Sequence, residues 1–481
     1  MRFLIWLHRW LGIAMCLLFT MWFASGMVMV YVDYPQLTEA ERLRNLPQLD
    51  LNKVQLTPFE AASKINSAGL FSAVKLTTVL NRPAFELIDI GGLKSIVFAD
   101  SGAILTNVDN RAAINAAALW NTSNLSSTPS YDSLVDIDQW SISGSNNRHR
   151  PLHKVRLNDE FDTVLYISSL TGQVVLDTRQ KERFWNWLGS TLHWIYPLAL
   201  RENAPLWTKV VIYTSLAGII SVVTGGIIGF MRLGIRKPYR NRSYSPYTSW
   251  AKWHHFLGIF TLVFVFTFMF SGLMSMGPWG IFNSATSPIP QINRYYGNDS
   301  LRLSNLPMPI SRSKLDQIKE VEWHQLKDKS FYSFISSPTE TEVRFSNNSA
   351  PQNDDVLESI INEAITDLLP QAKLSSIDLI TSEDDYYYSE NDFLPLPVYR
   401  AKFDDPESTW YHINVTNGEI LNRITSGNRL ERWIFKGLHS LDFQFLVKHG
   451  SLKDAILIFL CLAGFFFSLS AVVVGWRRLF V

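Results

Sequence analysis

The sequence predicts an α+β membrane protein whose four transmembrane helices fall in two tandem-duplicated halves, each half carrying an α+β region between its two helices. Three observations carry this. Four apolar runs, near residues 10–32, 206–231, 256–276 and 455–476, each reach the length of about 20 residues that a bilayer core requires. The heptapeptide Trp6-Leu7-His8-Arg9-Trp10-Leu11-Gly12 returns as Trp253-His254-His255-Phe256-Leu257-Gly258, an offset of 246 from His8 to His254. The same offset carries Ser25-Gly26 onto Ser271-Gly272, Leu192-His193 onto Leu438-His439, and Leu216-Ala217-Gly218 onto Leu462-Ala463-Gly464. A period of this size is a half-molecule, far too long for a solenoid repeat.

In chain order, residues 1–32 form the first transmembrane helix and 33–180 the first outer region. Residues 181–205 form an amphipathic interfacial helix that leads into the second transmembrane helix at 206–231. A basic link at 232–252 turns the chain into the third, at 253–276. Residues 277–428 form the second outer region and 429–452 a second amphipathic interfacial helix. The fourth transmembrane helix and a short basic tail occupy 453–481. The first run is too long for the apolar core of a secretion signal, and no small-residue cleavage site precedes Asp33-Tyr34-Pro35, so an uncleaved helix is expected.

Orientation follows from the basic residues in short flanking segments. Arg2 and Arg9 precede the first helix. Arg232, Arg236, Lys237, Arg240, Arg242 and Lys252 fill the link, and Arg477 and Arg478 follow the fourth helix. None of these segments holds an Asp or Glu, which places both termini and the link in the cytoplasm. The outer segments then carry 34 basic against 43 acidic residues, a net charge of −9, which excludes nucleic acid as a partner and leaves the lipid bilayer as the first one. Both cysteines, Cys16 and Cys461, lie in membrane helices, so no disulfide framework or Cys metal site is expected outside.

The first outer region opens on Thr57-Pro58-Phe59-Glu60, a helix start with Thr as cap, Pro at the first position and Glu at the third. That helix is expected to run to Ser67 and stop at Gly69. Strands follow at 74–80, 84–90 and Lys94–Phe98, divided by Asn81-Arg82-Pro83 and Gly91-Gly92, with Ala103-Ile104-Leu105 beyond the turn Asp100-Ser101-Gly102. Further strands are expected at 151–157, 163–168 and 173–176. At the offset of 246 they recur as 398–403, 409–415 and 419–421, preceded by a helix at 356–369. The stretch 291–353 reads as no particular element. Segments 181–194 and 429–443 are aromatic and amphipathic, each just ahead of a membrane helix, as in helices that lie at the headgroup level.

Four of the ten histidines form two repeat-related pairs. Topology places His8 and His254 at the cytoplasmic ends of the first and third helices, and His193 with His439 near the outer ends of the second and fourth. Two imidazoles converging from equivalent helices can take both axial positions of a haem iron, and two such sites would stack across the bilayer. The plainer alternative is interfacial packing of histidines that a duplication would copy whatever they do. His254 and His255 point about 100° apart on a helix, and the repeat selects His254. His149 and His153 would share a face of a strand and could bind a metal weakly, with solvated surface as the simpler expectation. The patch Glu383-Asp384-Asp385-Tyr386-Tyr387-Tyr388 could dock a cation or ferric chelate, again with a solvated loop as the simpler expectation. No His-Glu-x-x-His pattern or Cys cluster supports a hydrolytic zinc site, and no paired carboxylates or nucleophile triad stand out.

These residues resemble a known family. Trp6, His8 and Gly12 at the opening helix match the start of bacterial inner-membrane proteins built from PepSY domains and PepSY-associated transmembrane helices. Residues 398–406 through Asn417-Gly418-Glu419 look like the strand–turn–strand end of a PepSY unit, and Asp100-Ser101-Gly102 after Lys94–Phe98 looks like another. The segment from Trp433 through Leu438-His439 to Trp476-Arg477-Arg478 is similar to the family's last helix. The likeness covers nearly the whole chain. It implies an inner-membrane location and two periplasmic PepSY-like regions. One branch of the family comprises ferric-siderophore reductases whose four membrane helices hold two b-type haems through histidines. For this chain that implies haem b at His8, His254, His193 and His439, with electrons passing to a periplasmic ferric chelate. No flavin or nicotinamide fingerprint is visible, so the electron donor would be separate, a membrane quinol or a cytoplasmic reductase docking on the basic link. The competing expectation is a non-enzymatic, membrane-anchored PepSY protein that holds a partner or restrains a protease. A transporter is the third, and the helices lack the midplane charges and broken cores it would use.

Overall fold

The computed structural model of the chain describes all residues except 66–70, 90, 121–126, 240–241, 284–288, 298–316, 328, 346–353, 390–392 and 481. The chain divides into a helical unit (Met1–Pro35, Lys181–Asn283, Gly427–Val481) and a sheet unit (Gln36–Gln180, Ser284–Ser426).

Four helices long and apolar enough to cross a membrane build the helical unit: α1 Arg2–Met29, α2 Ala204–Met231, α3 Ser249–Met274 and α4 Gly450–Phe480. Each extends a few residues beyond its apolar run at one end or both, because the flanking polar residues continue the same hydrogen-bond ladder. Met15, Phe19, Phe23, Val222, Val265 and Met269 fill the interior. Leu17, Phe260, Val263 and Phe459 stay exposed, as helices apolar on every face must be where lipid is their solvent. Small residues let the helices close up. Gly218 packs under Met269, and Gly464 packs under Phe23; each of these two contacts is the other shifted by 246 positions. Gly229 against Ile259 and Gly475 against Ile13 are related in the same way. The offset thus relates contacts as well as letters.

The segments ahead of α2 and α4 are not the single interfacial helices expected at 181–205 and 429–452. Helix Gln180–Asn186 passes into one turn of π-helix at Trp187–Thr191, the backbone turns at Ile195 with φ +52°, and a short helix Leu198–Arg201 follows. The second copy runs Ser426–Arg432, π-helix Trp433–Gly437, a turn at Leu441 with φ +55°, and Gln444–Val447. Pro197 explains the first break, since it cannot continue a helix. Trp185, Trp187 and Trp194 remain exposed, in keeping with an interfacial position.

The sheet unit contains β1 Phe71–Val79, β2 Arg82–Asp89, β3 Lys94–Phe98, β4 Ser130–Val135, β5 Leu152–Arg156, β6 Val164–Ser168, β7 Val174–Thr178, β8 Glu320–Leu326, β9 Lys329–Ser337, β10 Glu340–Phe345, β11 Lys373–Ile380, β12 Val398–Asp404, β13 Trp410–Asn414 and β14 Ile420–Ile424. Two antiparallel four-stranded sheets, β4-β5-β6-β7 and β11-β12-β13-β14, are the repeat-related pair. Against them pack helices Asn110–Trp120 and Asp354–Leu368, the latter close to the helix expected at 356–369. The two regions do not stay separate. Strand β1 pairs with β8, so hairpins from both regions join in one six-stranded antiparallel sheet, β10-β9-β8-β1-β2-β3. The stretch 291–353, unassigned from sequence, supplies half of it.

One face of this sheet is apolar, with Val74, Leu76, Phe85, Leu87, Val321 and Phe334 in its core. The other carries a charged row across the ladder, Glu86 beside Lys75 beside Glu322. Glu320 is fully buried and bonded to Arg42 at 2.6 and 2.8 Å and to Lys75 at 3.2 Å. Burial alone would raise its pKa, but Lys75 and Arg42 hold it at about 2. At the start of the unit, Thr57 caps helix Pro58–Ser63 through a capping box with Glu60. This helix ends before Ser67; residues 66–70, including the expected stop at Gly69, lie outside the described residues.

Candidate functional site

The first histidine pair is set by the starts of α1 and α3. The rings of His8 and His254 lie 6.5 Å apart between centroids, with planes 27° apart. His8 Nδ1 donates to the carbonyl oxygen of Ser221 on α2 at 3.0 Å. A carbonyl only accepts, so Nδ1 carries the proton and Nε2 keeps its lone pair. His254 Nδ1 lies 3.1 Å from Ser470 Oγ on α4. That hydroxyl gives its own proton to the carbonyl of Phe467, so its oxygen is the acceptor and the same tautomer follows. Thr224, the repeat equivalent of Ser470, stands 3.4 Å from His8 Nδ1.

The second pair repeats this logic. His193 and His439 have ring centroids 6.0 Å apart and planes 74° apart. His193 Nδ1 faces the carbonyl of Trp22 at 3.1 Å and Ser25 Oγ at 3.2 Å. His439 Nδ1 faces Ser271 Oγ at 3.0 Å. Ser25 and Ser271 each donate to the carbonyl four residues back, on Met21 and Thr267, which again leaves the hydroxyl oxygen to accept. Gly26 and Gly272 lie beside the rings, where a Cβ would stand 3.5 Å from His193 Cε1 and 3.4 Å from His439 Cε1. The π-helical turns advance the chain by one extra residue just before each of these histidines.

All four Nε2 atoms lack a hydrogen-bond partner among the described residues. Two imidazoles that share one metal ion through nitrogens about 2 Å from it have centroids about 6 Å apart. Both pairs meet that separation. A cavity of about 620 Å³ adjoins the first pair, lined by Gly12, Gly225, Gly226 and Gly258 among mainly apolar neighbours. Its size falls in the range of about 300–1,000 Å³ typical of small-molecule sites. Gly225 makes room for the His8 ring and Gly12 leaves open space, and a mainly apolar cavity beside two lone pairs suits a planar macrocycle. Between His8 and Gly26, 18 residues of α1 rise about 27 Å, so the two pairs lie on either side of an apolar interior.

His255 also lines this cavity, but both its ring nitrogens are taken, by Ser245 Oγ at 2.8 Å and the carbonyl of Gly229 at 2.9 Å. His149 and His153 are neither on one strand nor solvated. His149 ends a 3₁₀ turn, Gly144–His149, while His153 sits on β5, and both are buried. His153 Nε2 bonds the carbonyl of Val108 at 2.7 Å and its Nδ1 the hydroxyl of Tyr131 at 3.2 Å, which leaves no metal-binding face. The 383–388 patch is not simply a solvated loop either. Asp384 grips Arg400 with two bonds of 2.6 and 2.8 Å, Tyr387 is buried, and Arg400 Nε donates to Nε2 of the fully buried His412 at 2.7 Å. Among the described residues no group of three or more His, Cys, Asp or Glu could hold a metal ion. Ser25, Ser271, Ser470 and Gly225, which contact the histidine rings, do not stand out in the sequence, although the repeated Ser-Gly pair is a visible trace of two of them.

Four apolar helices, with one histidine pair on α1 and α3 and a second on the broken segments ahead of α2 and α4, joined in sequence to a sheet unit, define a multi-pass membrane protein. The family model for the PepSY-associated TM region matches residues 5–478, and the chain belongs to that family. Among curated proteins, none matches the chain.

Proposed function

We propose that the protein is an inner-membrane di-haem b electron-transfer protein that passes electrons to a periplasmic acceptor, a ferric siderophore or another ferric chelate. The observation that carries this reading is the shared state of the four histidines: each has its Nδ1 tied to the protein, and each keeps Nε2 free to face a partner imidazole. Haem iron held by two imidazoles supplies one-electron chemistry with no change of ligand. His8 and His254 would hold one haem at the cytoplasmic side, His193 and His439 the other at the periplasmic side. The bonds from Ser221, Ser470, Trp22, Ser25 and Ser271 fix ring orientation and raise ligand basicity, as partners of metal-bound histidines do. Met15, Phe19, Phe23, Val265 and Met269 keep water out of the space between the pairs.

The offset of 246, which relates helices, strands and contacts alike, supports a tandem duplication as the origin of the two sites. The positive flanks support both termini inside and both PepSY-like regions in the periplasm. The donor is a quinol or a cytoplasmic reductase. Proteoliposomes loaded with a reductant and given an impermeant ferric chelate outside should form external ferrous iron only when the protein is present. Equal rates in protein-free liposomes would reject the reading and return the protein to the class of non-enzymatic PepSY anchors.

A further inference from the structure

The cavity beside the first pair has a charged mouth that the histidines do not use. Arg9, Arg477 and Arg478 line it, and no Asp, Glu or Lys does. Arg9 follows His8 directly, and Arg477 and Arg478 close the end of α4; all three are exposed. Arg477 makes one long contact to Ser249 Oγ at 3.4 Å, and no carboxylate neutralises any of the three among the described residues. The charge is also one-sided. The repeat equivalents of Arg9, Arg477 and Arg478 are His255, Met231 and Arg232; of these only His255 lines the cavity, and its two ring nitrogens are both taken by Ser245 and Gly229. A ligand with anionic groups on one edge would therefore enter in one orientation only.

We propose that Arg9, Arg477 and Arg478 form a carboxylate-binding mouth that orients the ligand of the His8/His254 cavity, with the propionate edge of its haem at the cytoplasmic end. The proposal rests on the haem reading above. Guanidinium groups suit it because they bind carboxylates through paired, charge-assisted hydrogen bonds and keep their charge at any physiological pH. Anionic lipid headgroups offer a related chemistry, since cations at the inner ends of membrane helices commonly meet them.

The test uses the full chain in nanodiscs of neutral or anionic lipid, supplied with haem b or with its dimethyl ester, which lacks both negative charges. His193→Ala with His439→Ala isolates the first pair; the unaltered chain, where one of two bound equivalents should respond, guards against misfolding of that variant. Haem b should bind about tenfold more tightly than the ester, and Arg9→Gln with Arg477→Gln and Arg478→Gln should abolish that preference. The midpoint potential of the remaining haem should fall in the arginine variant, because nearby positive charge favours the reduced state. Equal binding of acid and ester, or a preference that survives in the arginine variant, overturns the mouth while leaving the haem reading intact. Haem retention that follows lipid charge but ignores esterification assigns the arginines to headgroups and also overturns it. Failure of both porphyrins to bind rejects the haem reading itself.

Discussion

Gly225 lies directly beneath His8: a Cβ at that position would stand 2.6 Å from Cε1 of the imidazole. The ring therefore occupies space that only glycine leaves open. On the di-haem proposal, Gly225→Ala should displace the His8 ring from its place opposite His254 and remove one of two haem equivalents. Quantifying haem per protein chain checks this; an unchanged ratio of two would contradict it.

Ser271 on α3 gives its own proton to the carbonyl of Thr267 and so holds the tautomer and angle of His439 from 3.0 Å away. Ser271→Ala should weaken haem binding at the second pair about ten- to hundredfold, the usual cost of losing a hydrogen-bond partner to a metal-bound histidine. Competition of the haem by an apo-haem-binding protein, followed spectroscopically, measures the effect. The first pair should be untouched.

The fold was legible to different depths in its parts. The four spans could be read because apolar length alone specifies them, and the offset of 246 already paired His8 with His254 and His193 with His439. The joining of β1 to β8 could not be read. Lys75 and Glu322 face each other across that junction, but each looks like an ordinary surface charge until the strands are paired. The π-helical turns at Trp187 and Trp433 were equally invisible, because a single extra residue per turn leaves an amphipathic pattern nearly unchanged. The serines that hold the histidines read as unremarkable small residues of membrane helices, where such side chains usually bond their own backbone. They do that as well.

The Glu320 carboxylate joins Arg42, ahead of the first region's strands, to Lys75 on β1 and is fully buried. Glu320→Gln leaves two cations facing one neutral amide. It should destabilise the sheet unit by about 3 kcal/mol, the scale for breaking a buried ion pair from one side. Chemical denaturation followed by the fluorescence of Trp323 on β8 would report it. The linked pH effect has a definite sign: because the folded pKa is about 2, this contribution is complete above the normal Glu range and is lost as pH falls toward 2.

His412 makes a second acid-sensitive point. Burial, together with the neighbouring Arg400 guanidinium, lowers its pKa to about 4. The unfolded chain therefore takes up a proton near pH 6.5 that the folded chain refuses until about pH 4, so stability should decline as pH falls through that window. His412→Gln should flatten the decline between these values while lowering stability at pH 7. Thermal unfolding at a series of pH values checks both.

The central claim is that two imidazole pairs each hold one haem b. The direct measurement is the dithionite-reduced minus oxidised absorbance spectrum of the purified protein, alongside His8→Ala, His254→Ala, His193→Ala and His439→Ala. The account predicts b-type bands in the parent, about half the amplitude in every single variant, and none when one histidine of each pair is replaced. A colourless parent from haem-replete cells, or full amplitude in all four variants, would contradict it.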